Sequence, residues 1–144
     1  MHVAAILKRK GSNIVTVRPD ETISGVTRTL AKHRIGAVLV LDGGGHAVGI
    51  LSERDIVRGV ASEGRGVLDK PISSLMTHEL VTCNVTDTTA HVMALMTERR
   101  IRHVPAMDGD RLAGMISIGD VVKARLDDAE LEVESLRGYV AGLG

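Results

Sequence analysis

Two short segments place a hydroxyl and a carboxylate at a spacing that can do chemistry: Gly49-Ile50-Leu51-Ser52-Glu53-Arg54-Asp55 and Gly114-Met115-Ile116-Ser117-Ile118-Gly119-Asp120. A serine followed three residues later by an acid, at the start of a helical pattern, reads in two ways. One is a capping box, in which hydroxyl and carboxylate satisfy backbone N–H groups that the first helical turn leaves without partners. Spacing alone favours this reading. The other is an anion site: a helix N-terminus with a hydroxyl attracts phosphate, and a carboxylate one turn in can accept both hydroxyls of a ribose. Repetition does not separate the two, since a duplicated cap would recur as well.

Other groups carry less. Gly43-Gly44-Gly45 lacks the spacing and the following helix of a dinucleotide fingerprint and reads as a hairpin turn. The six histidines, at 2, 33, 46, 78, 91 and 103, show no metal-ligand spacing, and with one cysteine a structural zinc site is not expected. Cys83 lies on an apolar segment and reads as core packing rather than a redox sensor. Asp20-Glu21 reads as helix N-terminal charge, not an acid/base pair. No nucleophile–base constellation is evident, so no catalytic residue is assigned.

The elements that must position the two motifs are themselves duplicated. Ile14-Val15-Thr16-Val17-Arg18-Pro19-Asp20-Glu21-Thr22 returns as Leu80-Val81-Thr82-Cys83-Asn84-Val85-Thr86-Asp87-Thr88. Arg34-Ile35 returns as Arg100-Ile101, and Asp42-Gly43 as Asp108-Gly109. A repeat this short cannot easily bury a core alone, so two copies are expected to pack face to face around a cleft. Each copy opens with a short apolar segment (Ala4–Leu7, Ser73–Met76) and a brief strand around 14–17 or 80–83. A helical pattern follows, with Ile23, Val26 and Leu30, or Val92, Met93 and Met96, on one face. Two strands then flank an Asp-Gly turn: 37–41 and 47–51 in one copy, 104–107 and 112–116 in the other. A second helix begins after Ser52 or Ser117. The grammar is β-α-β-β-α, with 62–71 as the linker.

The last helix outgrows its repeat. Val122, Leu126, Ala129, Val133, Leu136, Val140 and Leu143 alternate at spacings of four and three, a heptad-like seam. It either lies back on its own module or pairs with the same helix of a second chain.

Bulk properties bound the partners. Apolar residues make up 44% of the 144, but with no Phe or Trp and one Tyr the core must be aliphatic. Eighteen basic and 18 acidic residues cancel, which argues against a nucleic-acid binder. Lys8-Arg9-Lys10 reads as a solvated helix end. No apolar run approaches a membrane span and no signal pattern opens the chain, so a cytoplasmic protein is expected. A single cysteine fits a reducing compartment.

The β-α-β-β-α unit, the Gly-apolar-apolar-Ser-x-x-Asp segment and Arg100-Ile101-Arg102-His103-Val104-Pro105 together resemble the cystathionine β-synthase (CBS) domain. Two in tandem resemble a Bateman module, over about residues 12 to 125. The resemblance implies an α/β fold of two repeats packed with pseudo-twofold symmetry: 1–68 with the N-terminal segment, 69–125, and a C-terminal helical extension over 126–144. Members of that family typically bind adenosine-containing ligands (AMP, ADP, ATP, S-adenosylmethionine or NAD(H)) between the repeats.

Residue by residue, the resemblance implies two sites. In one, Asp120 holds the ribose and Ser117 a phosphate, with Arg102 and His103 adding positive charge. Asn13, Ile14 and Val15 lie along the adenine, and Ile35 closes one side. In the other, Asp55 and Ser52 take the ribose and phosphate, with Leu80, Val81 and Ile101 around the base. Gly36-Ala37 stand where the second copy has Arg102-His103, and only Arg54 offers compensating charge. The Asp120 site is therefore the expected home of a phosphorylated ligand.

The function expected is that of a stand-alone regulatory sensor, not an enzyme. It needs no cofactor and changes shape on binding an adenine nucleotide. A homodimer is expected, acting on a target that this sequence does not name. The alternatives are a structural dimerisation module with empty clefts and, less favoured, a small NAD-dependent oxidoreductase.

Overall fold

The structure, a computed structural model, describes residues 1–143. Gly144 lies outside them, and the expected seam residue Leu143 is described by its backbone alone. Five helices, α1 (Val3–Lys10), α2 (Ile23–His33), α3 (Glu53–Glu63), α4 (Thr89–Arg99) and α5 (Ile118–Leu143), alternate with six strands. The strands are β1 (Thr16–Val17), β2 (Ala37–Leu41), β3 (Ala47–Ser52), β4 (Cys83–Asn84), β5 (His103–Asp108) and β6 (Arg111–Ser117). They form two three-stranded sheets of the same design, β1-β2-β3 and β4-β5-β6. In each, the first pair is parallel and the second is an antiparallel hairpin.

Local chemistry explains the helices that cover these sheets. The Thr22 hydroxyl caps α2 by accepting from the Gly25 N–H at 3.0 Å, and Thr88 caps α4 through the His91 N–H at 3.1 Å. Ile23, Val26 and Leu30 are buried on one side of α2; Val92 and Met96, with Met93 partly covered, do the same for α4. Both helices stop at an arginine in left-handed conformation, Arg34 at φ 54° and Arg100 at φ 55°. The next N–H, of Ile35 or Ile101, donates back to Leu30 O at 3.1 Å or Met96 O at 3.0 Å. That is a Schellman ending, and the isoleucine folds back against the core as such endings favour. The repeated Arg-Ile pair is thus a helix stop.

Compactness divides the chain differently from the repeat. One unit is Ile14–Val81; the other joins Met1–Asn13 to the chain from Thr82 onward. The opening segments are exchanged. Val3 N–H donates to Asp87 O and Ala4 N–H to Val85 O, both at 2.9 Å. In the other unit Ile72 N–H donates to Glu21 O at 2.9 Å and Ser73 N–H to Pro19 O at 3.2 Å, the same pairing at matching positions. The expected linker over 62–71 is consequently not one. It contains a 3-10 turn, Arg65–Asp69, and Val67 is buried in the same core as Ile72. Leu80 to Thr82 likewise precede the second copy's first strand rather than forming it.

Glycine makes the exchange possible. Gly114 of β6 faces Leu7 of α1, and a Cβ there would overlap the Leu7 side chain. Gly49 of β3, its counterpart, faces Met76 and the Thr77 carbonyl, each 2.9 Å from such a Cβ. Thr77 then bonds Ile50 in both directions, N–H to O at 2.8 and 3.0 Å, adding an antiparallel bridge to the first sheet.

Cys83 is 5% exposed, and burial, with the Asp87 charge adding, pushes its thiol up to about 11. It is a core residue. The seam of α5 departs from one of its two expected readings: every residue from Ala129 to Gly142 is exposed, so this stretch does not lie back on its own module.

Overpacking a core position costs about 1–3 kcal/mol, so Gly114→Val should destabilise the protein by that amount in urea denaturation. In a cycle with Leu7→Ala the two changes should be strongly non-additive, because shortening Leu7 clears the space. Additive losses would mean that Leu7 does not rest on Gly114 in solution.

Candidate functional site

The motif around Asp120 is built where β5 begins and β6 ends. His103 and Ser117 are register partners across the hairpin, and the Ile118 N–H donates to Arg102 O at 2.8 Å. Arg102, His103, Ser117 and Asp120 are thereby gathered at the N-terminus of α5. Asp120 Oδ2 accepts from the Ser117 N–H at 2.9 Å, and the Asp120 N–H donates to Ser117 Oγ at 3.2 Å. The capping box is therefore present.

It is not the whole of the site. Lys10, at the end of α1, places Nζ 2.7 Å from Asp120 Oδ2 and 2.9 Å from Met115 O. Burial pushes the Asp120 carboxyl upward, but the hydrogen bonds from Lys10 and Ser117, with the lysine's charge, outweigh it and hold the group below its ordinary 3.8. Oδ1 makes no hydrogen bond among the described residues and remains accessible. Arg9 pairs with Asp127 at 2.6 Å and the Met1 amino group with Asp128 at 3.0 Å. Lys8-Arg9-Lys10 is thus more than a solvated helix end. The sequence holds no signal for these pairs, because a helix at one terminus meets one near the other.

The Asp55 motif has the same frame and different chemistry. Ala37 and Ser52 are register partners, and the Glu53 N–H donates to Gly36 O at 2.9 Å. Asp55 Oδ2 accepts from the Ser52 N–H at 2.9 Å and also from the Ser52 hydroxyl at 3.1 Å. The Ser52 hydroxyl thus serves its own cap, as the Ser117 hydroxyl does with Asp120. Asp55 has no cationic partner among the described residues. The segment exchanged into this unit is a 3-10 turn, Ile72–Ser74, followed by a bridge from Thr77 to Ile50, not a helix that ends in a lysine. Gly119 corresponds to Arg54: the first turn of α5 is bare beside Ser117, whereas α3 carries an exposed arginine.

The remaining expected residues fall as follows. Asn13 is exposed in the unit that holds Asp120; Ile101, in the same unit, is the half-buried residue of the α4 ending. Ile14, Val15, Leu80 and Val81 are half-buried in the Asp55 unit, where Ile35 ends α2. Val15 O accepts from the Leu39 N–H at 3.3 Å, which fixes its backbone beside β2. Among the described residues no three His, Cys, Asp or Glu side chains cluster to hold a metal ion. No helix there is long and apolar enough to cross a membrane.

The chain belongs to the CBS domain family, whose model matches residues 3–62 and 72–127. It carries two such domains in tandem. It is 30% identical to the mitochondrial CBS domain-containing protein CBSX3 of Arabidopsis thaliana, over 97% of this chain and 72% of that one. Among solved structures it resembles the CBS-domain containing protein ATU1752 from Agrobacterium tumefaciens. The TM-score there is 0.84 at 48% identity, covering 86% of this chain and 92% of that one. It also resembles the CBS domain protein PAE2072 from Pyrobaculum aerophilum, solved in complex with AMP. That match has a TM-score of 0.73 at 30% identity, over 83% of this chain and 89% of the other.

A carboxylate depressed in the folded state stabilises it above the ordinary pKa, and the contribution is lost as pH falls through the folded value. Asp120 should titrate below 3.8 by carboxyl NMR. In Lys10→Met the cation goes while burial stays, so the midpoint should rise. An unmoved midpoint would show that the lysine is not held there in solution.

Proposed function

We propose that this chain is an adenine-nucleotide-binding regulatory module and that its phosphorylated ligand is held at the Asp120 copy. The observation that supports this most is the asymmetry between the copies. Asp120 has an accessible oxygen beside a lysine and a bare helix turn, with Arg102 and His103 on the adjoining strand. A ribose at Oδ1 could leave the Lys10 pair at Oδ2 in place. The Ser117 hydroxyl, the α5 N-terminus and the Arg102 guanidinium would then suit a phosphate. The AMP complex of the Pyrobaculum relative supports the ligand class, and AMP is the first candidate ahead of ADP, ATP or NAD(H).

The Asp55 copy, with no lysine on its carboxylate and Gly36-Ala37 where the other copy has Arg102-His103, suits a phosphorylated ligand poorly. The reading assigns ligand binding and no turnover, in a protein that works as a homodimer. Binding would act on a target only through unequal affinity for two conformations.

Asp120→Asn keeps an acceptor for the cap but lowers its charge. It should weaken AMP binding in calorimetry by about 1.5–3 kcal/mol, the usual worth of a hydrogen bond to a charged group. Arg102→Ala should cost AMP more than adenosine, because its partner is the phosphate. Unchanged AMP affinity in a folded Asp120→Asn protein would leave Asp120 as a cap alone and favour a purely structural module.

A further inference from the structure

We infer that α5 pairs with α5 of a second copy as a parallel, in-register two-stranded coiled coil. This rests on the homodimer reading and adds its orientation and register. The helix runs 26 residues, and from Ala129 to Gly142 every side chain is exposed. Leu126, Val133 and Val140 occupy the a positions of a heptad, and Val122, Ala129 and Leu136 the d positions. Leu126, Leu136 and Val140 are 59–66% exposed at 60%, 59% and 66% respectively, which leaves an apolar stripe in water. In the central heptad, Val133 at a with Leu136 at d is the combination that favours two parallel strands.

Charge chooses the occupant and its direction. The e positions are Lys123, Glu130 and Arg137; the g positions are Arg125, Glu132 and Tyr139. In a parallel pair, each g residue faces the e residue of the partner's next heptad. Arg125 then meets the partner's Glu130, and Glu132 meets the partner's Arg137, with both pairs repeated by symmetry. An antiparallel pair centred on Val133 and Leu136 would oppose Glu130 to the partner's Arg137 but leave Glu132 facing Tyr139. Within the chain, none of Arg125, Glu130, Glu132 or Arg137 forms an ion pair among the described residues. Their pattern is complementary to itself, which points to a second copy of this chain rather than to an unrelated helix.

Sedimentation of full-length Glu132→Arg, Arg137→Glu and the double variant tests the arrangement, with circular dichroism confirming helix content. Each single change sets like charges opposite each other and should weaken dimerisation about tenfold, since two symmetric pairs are inverted at once. The double variant restores opposite charges and should return to within about twofold of wild type. Arg125→Glu with Glu130→Arg should behave in the same way and decides the matter if the first set misfolds. A monomeric wild type overturns the proposal, as do single variants that dimerise normally. A double variant that stays weak overturns the parallel orientation, because antiparallel pairing keeps Arg137→Glu opposite Glu130. AMP titration separates the readings: a wild type that binds AMP without dimerising overturns the coiled coil alone, and one that dimerises without binding AMP overturns the nucleotide site alone.

Discussion

The close approach of Leu7 to Gly114, and of Met76 and Thr77 to Gly49, is the constraint on which the rest of each unit depends. A side chain on either glycine would hold the incoming segment away from its sheet. Without that segment the backbone groups of Pro19 and Glu21, or of Val85 and Asp87, would lose their partners, and buried amides and carbonyls are costly to leave unpaired. Seating α1 on β6 also determines where its end falls. Lys10 arrives at Asp120 because Leu7 is locked three residues earlier. In the other unit the exchanged chain is a 3-10 turn followed by a bridge to Ile50, and it brings no lysine to Asp55. The chemistry of the two motifs thus differs through elements that lie outside the motifs themselves.

Capping and ligand binding compete less than the sequence alone implies. A carboxylate has lone pairs on both oxygens, and the cap and Lys10 both fall on Oδ2 of Asp120. The pair with Lys10 is partly exposed, with the lysine side chain 37% and the aspartate 22% accessible. Its stabilising worth is correspondingly small after solvent screening. Its consequence is positional and electrostatic: it keeps the carboxylate ionised and brings a cation to the helix N-terminus.

Much of each sheet and its covering helices was legible because the relevant signals are local. Hairpin turns at Asp42 and Asp108, threonine caps at Thr22 and Thr88, and apolar spacing in α2 and α4 each act over a few residues. The helices after Ser52 and Ser117 were legible for the same reason. What escaped was long-range. Nothing near Val67 says that it belongs to a core rather than a linker, and its glycine-flanked setting argues the opposite. Nothing near Lys10 announces Asp120. The exchanged segments escape because a repeat in sequence need not be a unit in space: backbone pairing assigns each opening segment to the other copy's loops. Arg34 and Arg100 show a milder case: left-handed endings usually carry glycine, so arginine there concealed the Schellman turn.

α5 carries two demands that meet in a single rigid element. Its first turn supplies Ser117's cap partner and Asp120, while its later turns carry the apolar stripe. At 1.5 Å per residue, its 26 residues reach roughly 39 Å, so each degree of tilt at the base displaces the far end by roughly 0.7 Å. No hinge residue interrupts it, since Gly119 lies in the first turn and Gly138 and Gly142 lie near the far end. A coiled-coil seam is sensitive to such displacement, because side chains at a and d must enter fixed holes in the facing helix. A ligand that draws on Asp120 and on the first-turn N–H groups would therefore act on the same rod that meets the second copy. The coupling would be reciprocal: pairing that favours one tilt must favour the ligand that prefers it, by the same free energy.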